Sequence, residues 1–132
     1  MVCHIHHINF IVRDLEAAIA RYETILGLPV AHRDELPERG VRAARFRVGE
    51  TWLVLVQPTR PDTVPGRFLD EHGEGFFLLS LGVESLEAEF DRLGPSWPQG
   101  APRTGADGWQ VRDLDATRTL GAQLQFCVDQ GS

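Results

Sequence analysis

Cysteine is scarce, long apolar runs are missing, and acidic residues outnumber basic ones; each shortage narrows what this chain can be. Its 132 residues contain two cysteines, Cys3 and Cys127, near opposite ends. That is too few for a disulfide framework, and free thiols are expected at both. Nothing near Cys127 in sequence would activate it, so it is not assigned as a nucleophile. No apolar stretch reaches the length of a membrane span, and the N-terminus lacks the charged-then-apolar order of a secretory leader, so a cytoplasmic location is expected. Thirteen basic against nineteen acidic residues give a net charge of -6. That balance offers no basic footprint to nucleic acid or to an anionic membrane surface. The partner expected instead is a small organic ligand.

What the chain does contain is a repeat. His7 to Arg21, HINFIVRDLEAAIAR, returns as Leu78 to Arg92, LLSLGVESLEAEFDR. A constant shift of 71 sets Val12 on Val83, Leu15 on Leu86, Glu16 on Glu87, Ala17 on Ala88 and Arg21 on Arg92; carried on without a gap, it sets Leu53 on Leu124 and Leu55 on Phe126. Each copy reads as an alternating strand, a turn, an amphipathic helix and further strands. The fold class expected is α+β. Two tandem βαβββ modules, residues 4–57 and 76–129, are joined by a connection at 58–75 and share one curled mixed sheet in a single domain.

Along the first copy, Cys3 to Val12 alternates as a strand with His7, Asn9 and Ile11 on one face and His6, Ile8, Phe10 and Val12 on the other. Asp14 caps a helix whose stripe is Leu15, Ala18, Ile19, Tyr22, Ile25 and Leu26, and Gly27 ends it. Arg33 to Gly40 reads as a charged loop, and Val41 to Val48 with Thr51 to Val56 as a hairpin. Gln57 to Gly75 connects the copies, with a short helix over Gly66 to Glu71. In the second copy Phe76 to Val83 is a strand, Ser85 caps a helix with stripe Leu86, Phe90 and Leu93, and Pro95 to Asp107 is a loop. Trp109 to Asp115 and Ala122 to Val128 are the last strands, and the chain from Asp129 is a tail.

The wording of His7-Ile-Asn-Phe-Ile-Val-Arg-Asp-Leu-Glu-Ala-Ala, of Leu26-Gly27-Leu28, of Pro37-Glu-Arg-Gly-Val-Arg, of Val48-Gly-Glu-Thr and of Phe68-Leu-Asp-Glu-His-Gly-Glu-Gly resembles the vicinal oxygen chelate superfamily of glyoxalases, bleomycin-resistance proteins, extradiol dioxygenases and methylmalonyl-CoA epimerases. These motifs span nearly the whole chain, and the epimerase branch is the most similar. The resemblance implies a sheet curled into a cup, with a divalent ion held by two residues from each module. Those positions fall on His7 and Leu78, related by the repeat, and on Val54 and Gln125, related in the same way. Only His7 keeps an ordinary ligand. Leu and Val carry no donor, and a neutral amide replaces a carboxylate poorly on a hard cation. The position resembling a further catalytic Glu falls near Ala43. No metal or other cofactor is therefore expected, although a divalent ion held by non-standard ligands stays open as an alternative.

Alternation from His7 sends Asn9, Trp52, Val54, Val56, Phe76, Leu78, Ser80, Gln123, Gln125 and Cys127 into the cup, joined by Arg45. That is an apolar lining with a few polar handles, the composition of an organic-ligand site. The competing reading is that Trp52, Val54, Phe76 and Leu78 fill a core. Three functions remain open. The protein binds or sequesters an aromatic or acyl metabolite without metal; it is a metal-independent isomerase, lyase or cyclase with His7 as acid or base, and Gln125 and Asn9 as hydrogen-bond donors; or it is a glyoxalase- or epimerase-like metal enzyme. A homodimer is expected on family resemblance.

Overall fold

Capping, more than hydrophobicity, carries the repeat into three dimensions. The computed structural model describes residues 1–129, so of the expected tail only Asp129 lies within the described residues. The elements run β1 (His4–Ile11), α1 (Leu15–Leu26), β2 (His32–Leu36), β3 (Val41–Val48), β4 (Thr51–Pro58), α2 (Val64–His72), β5 (Gly75–Gly82), α3 (Leu86–Leu93), β6 (Pro98–Thr104), β7 (Gln110–Leu114) and β8 (Leu124–Val128). Asp14 accepts the Ala17 N–H at 3.1 Å and Ser85 accepts the Ala88 N–H at 3.1 Å, the same capping bond at repeat-related positions. Each satisfies a backbone donor that the helix itself leaves open. Gly27, at φ 68°, adopts the left-handed turn that stops α1.

The chain divides into two compact units, residues 8–77 and residues 1–7 with those from 78 onward, so that β1 and β5 are each split between them. In the first unit the strand order is β2-β3-β4-β1, with β2–β3 and β3–β4 antiparallel. Leu15 and Ile19 of α1 pack with Val12, Ala44, Phe46 and Leu55, flanked by Phe10, Ala18, Tyr22 and Leu26. Ile25, expected in that stripe, is 65% exposed. It lies one residue, about 100°, off the line through Leu15, Ile19, Tyr22 and Leu26. A second cluster of Ile11, Val41, Ala43, Val54 and Val56 is packed by Phe68 and Leu69 of α2 and by Phe77.

Two stretches expected as loops are strands. His32–Leu36 pairs with β3 from His32 opposite Arg45 to Leu36 opposite Val41. Its charged side chains suit an edge strand, where they discourage further pairing and leave the backbone to pair on one side. Pro98–Thr104 pairs with β7, and its register shifts between Gln99 and Arg103. Pro98 and Pro102 lack the N–H that an inner strand needs, so the edge tolerates them. The connecting helix is longer than expected because Thr63 accepts the Gly66 N–H at 3.0 Å and Pro65 preorganises the first turn.

The other unit has the strand order β5-β8-β7-β6, with β5–β8 parallel and the remaining pairs antiparallel. Its apolar core is Val83, Phe90, Leu114 and Phe126, packed by Leu86 and Leu93 of α3. The Phe90 and Phe126 rings lie 5.3 Å apart, and the Arg112 guanidinium sits 5.2 Å over the Phe90 ring. Among the described residues no helix is long and apolar enough to cross a membrane. Phe90→Ala should lower unfolding free energy by about 3–5 kcal/mol through the cavity it opens, whereas Ser85→Ala should cost about 1 kcal/mol. Urea unfolding of the two variants checks the ranking; equal losses would place the weight of this unit on its cap.

Candidate functional site

β1 and β8 bring together a group of polar side chains deep in the second unit. The Cys3 N–H bonds to the Gly82 carbonyl at 2.8 Å, and Gly82 of β5 lies in register with Cys127 of β8. This places the chain start beside the strand that carries Cys127. His6 and His7 are both buried, as are Trp109, Ser80, Gln125 and Cys127. Strand alternation should send His6 and His7 to opposite faces, yet their rings turn so that the two Nδ1 atoms are 2.8 Å apart. Trp109 holds both: it stacks on His7 at 4.9 Å and 23°, and meets His6 edge-on at 4.5 Å and 82°. The outer nitrogen of His6, Nε2, lies 2.9 Å from Asp129 Oδ2.

Next to the imidazoles, the Cys127 thiol is pushed up from its ordinary 9.0 to about 12, chiefly by burial and further by the Asp129 charge, with Ser80 acting in the other direction. It is a protonated, unreactive thiol at neutral pH. Gln125 Nε2 donates to Asp113 Oδ1 at 3.1 Å, and Arg103 grips the Asp113 carboxylate with two bonds of 3.0 Å. The Gln125 side-chain oxygen is buried and meets no hydrogen-bond donor among the described residues.

Of the expected site residues, this unit holds His7, Leu78, Ser80, Gln123 and Gln125; all are buried except Gln123, which is half-buried. The other unit holds Asn9, Arg45, Trp52, Val54 and Phe76. There Arg45 is only 1% exposed, its guanidinium lying 4.7 Å over the Trp52 ring with its Nε 3.8 Å from Asp34. Arg47 approaches the same ring at 4.8 Å. The buried Asn9 side-chain oxygen has no hydrogen-bond donor among the described residues. Phe76 departs from the alternation expected of its strand: it is half-exposed and lies 6.0 Å from Phe10, its ring edge-on.

Sequence reasoning did not find His6, Trp109 or Asp129 as site residues. The His6-His7 doublet was the visible signal. Asp129, expected as the start of a tail, is a hydrogen-bond partner of a residue 123 positions away, and no local pattern reports such a pairing. A metal at the family's positions is not supported by the residues present. His7 supplies one imidazole, Leu78 and Val54 supply only carbon, and Gln125 supplies a neutral amide whose nitrogen is engaged with Asp113. A different trio, His6, His7 and Cys127, brings metal-ligand atoms within 4.8 Å of one another.

Residues 6–112 match the family model of the Glyoxalase/Bleomycin resistance protein/Dioxygenase superfamily, and the chain belongs to that superfamily. The ethylmalonyl-CoA/methylmalonyl-CoA epimerase of Cereibacter sphaeroides is 29% identical over 84% of this chain and 87% of its own. The uncharacterised protein YqjC of Bacillus subtilis is 27% identical over 95% of this chain and 91% of its own. Among solved structures, a methylmalonyl-CoA epimerase in complex with methylmalonyl-CoA and NH4+ superposes with a TM-score of 0.90 at 26% identity, covering 99% of this chain and 97% of its own. The fold of two βαβββ modules is thus that of the vicinal oxygen chelate superfamily, as in its epimerases.

Burial of Cys127 has two measurable consequences. Brief iodoacetamide treatment at pH 8 should modify the exposed Cys3 and spare Cys127, which mass spectrometry of the intact protein resolves. Because the folded thiol keeps its proton where the unfolded thiol loses it, stability should fall as pH rises from about 9 to about 12. Cys127→Ser should flatten that part of the curve; an unchanged slope would separate Cys127 from base lability.

Proposed function

We propose that the protein binds a small acyl or aromatic metabolite, with coenzyme A thioesters as the first class to test, without using the four-donor metal site of its metal-dependent relatives. The observation that carries the reading is the substitution of donors by buried carbon. Leu78 and Val54 are each less than one-tenth exposed, and a buried hydrocarbon contributes nothing to a divalent ion. Ala43, where the resemblance puts a further carboxylate, is buried as well. The acyl-thioester class comes from the epimerase relatives, one of which has been solved with methylmalonyl-CoA. Polar handles on an otherwise apolar lining orient such a ligand. His7, Ser80, Gln123 and Gln125 are such handles within the unit of residues 1–7 and 78 onward. The protein acts in the cytoplasm in this reading.

A second reading is a metal-independent isomerase or lyase in which His7 moves a proton. The contact of His6 with both His7 and Asp129 favours it, because a general base needs a partner that orients it. Either way His7 touches the ligand.

Titration with propionyl-CoA, methylmalonyl-CoA and free coenzyme A should change tryptophan emission for an acyl thioester, and chelator should leave that change intact. His7→Ala should weaken binding about tenfold and, by leaving buried His6 without that partner, lower unfolding free energy by about 1–3 kcal/mol. Binding abolished by chelator and restored by cobalt or nickel would overturn the metal-free reading. Deuterium uptake at the α-carbon, read by mass spectrometry, separates enzyme from binder. The protein should also run as a homodimer at micromolar concentration in light scattering; a monomer there would remove that expectation.

A further inference from the structure

In the unit of residues 1–7 and 78 onward, two buried polar atoms meet no hydrogen-bond partner among the described residues: Ser80 Oγ and Gln125 Oε1. The two belong together. Ser80 of β5 stands directly opposite Gln125 of β8, and Asp113 of β7 stands opposite Gln125 on its other side. Residues paired across strands share a face of the sheet, so the three form one polar row. Leu81, Phe126 and Leu114, the next residue along each strand, face the core packed by α3, which puts the row on the face away from that helix. It runs from Ser80, wholly buried, to Asp113 and its partner Arg103, both partly exposed. Leu78 and Val111, two residues before Ser80 and Asp113 on the same face, are buried and apolar.

What the two atoms offer follows from what the row has already used. Gln125 donates its amide N–H to Asp113 at 3.1 Å, and Arg103 holds Asp113 with two bonds of 3.0 Å. The amide cannot turn over without losing that bond, so it presents its oxygen, which only accepts. The Ser80 hydroxyl both donates and accepts, and the Cys127 thiol beside it is a weak partner. Strands about 4.8 Å apart let one ligand atom reach both side chains. A group that satisfies both must donate to Gln125 and accept from Ser80, and a neutral hydroxyl does both. A carboxylate accepts from Ser80 but sets its oxygens against that of Gln125, with the Asp113 carboxylate behind. A hydrocarbon leaves both atoms unpaired.

We propose that Ser80 and Gln125 form a hydroxyl-recognition pair, so that the acyl group this protein binds carries a neutral hydroxyl. This deepens the function proposed above and rests on its acyl-thioester reading. Asp113, held by Arg103, is a positioning residue: it keeps the Gln125 oxygen toward the ligand and is not asked to touch it.

Calorimetric titration of the full chain with lactoyl-CoA and β-hydroxybutyryl-CoA, against their parents propionyl-CoA and butyryl-CoA and against methylmalonyl-CoA, tests the pair. At least one hydroxyacyl ester should bind about tenfold more tightly than its parent, and methylmalonyl-CoA no more tightly than propionyl-CoA. Ser80→Ala and Gln125→Leu should each erase the hydroxyl preference. Asp113→Asn, which can donate to Gln125 as well as accept, should reduce it, because the amide then turns either way. Ser80→Ala without ligand should melt no lower than wild type, since it removes a buried hydroxyl that has no partner; this keeps the test independent of unfolding. Equal affinity of hydroxyacyl and parent esters would overturn the proposal and leave the acyl-thioester reading standing. A preference unmoved in Ser80→Ala, or a Ser80→Ala protein that melts lower than wild type, would overturn it as well. Binding of none of the five esters would strike the acyl-thioester reading and this proposal with it.

Discussion

Polar groups taken out of water must find partners, and this requirement governs the unit built from the chain start and the second repeat. Two imidazoles, a thiol, a hydroxyl and a primary amide are buried there together. Left unpaired, each would cost about 1–3 kcal/mol. Asp129 meets one end of His6, His7 meets the other, and Asp113 meets the Gln125 amide. Trp109 covers both rings. The arrangement orients His7 as a consequence of paying for its burial.

In the unit of residues 8–77 the corresponding problem is Arg45, a guanidinium almost wholly buried. Its charge is met by Asp34 from the edge strand and by the face of Trp52, and an aromatic face suits a guanidinium because that cation is weakly hydrated. The charged edge strand therefore has a use beyond discouraging pairing, since it delivers the carboxylate. Asp34 can do so only because His32–Leu36 is a strand in register with β3. As a loop it would have no fixed reach.

Membership of the superfamily fixes the scaffold, and the scaffold by itself does not fix the chemistry. Fold similarity at a TM-score of 0.90 coexists with 26% identity, because a packed core tolerates apolar exchanges whereas a reaction centre does not tolerate loss of its donors. Leu78 and Val54 are buried side chains with no donor atom. His7 stays, and the residue beside it is a histidine that supports it from behind.

Local sequence was sufficient for the repeat, both helix caps, the two helical stripes apart from Ile25, and the strand carrying His7. Each of these depends on periodicity or on a capping bond spanning three residues, and both are written in neighbouring positions. The strands His32–Leu36 and Pro98–Thr104 were not legible, because charge and proline argue against a strand until the partner strand is known. The same limit hid the candidate site. His7 could be singled out from its motif, but the Trp109 ring that stacks on it and the Asp129 that meets its neighbour His6 stand more than a hundred positions away, and only tertiary structure brings them within reach. Sequence by itself determined the scaffold, because periodicity and capping are written in neighbouring positions. The pairing of His6 with Asp129 and with His7 was decided by the fold, since those contacts depend on what lies across space from each nitrogen.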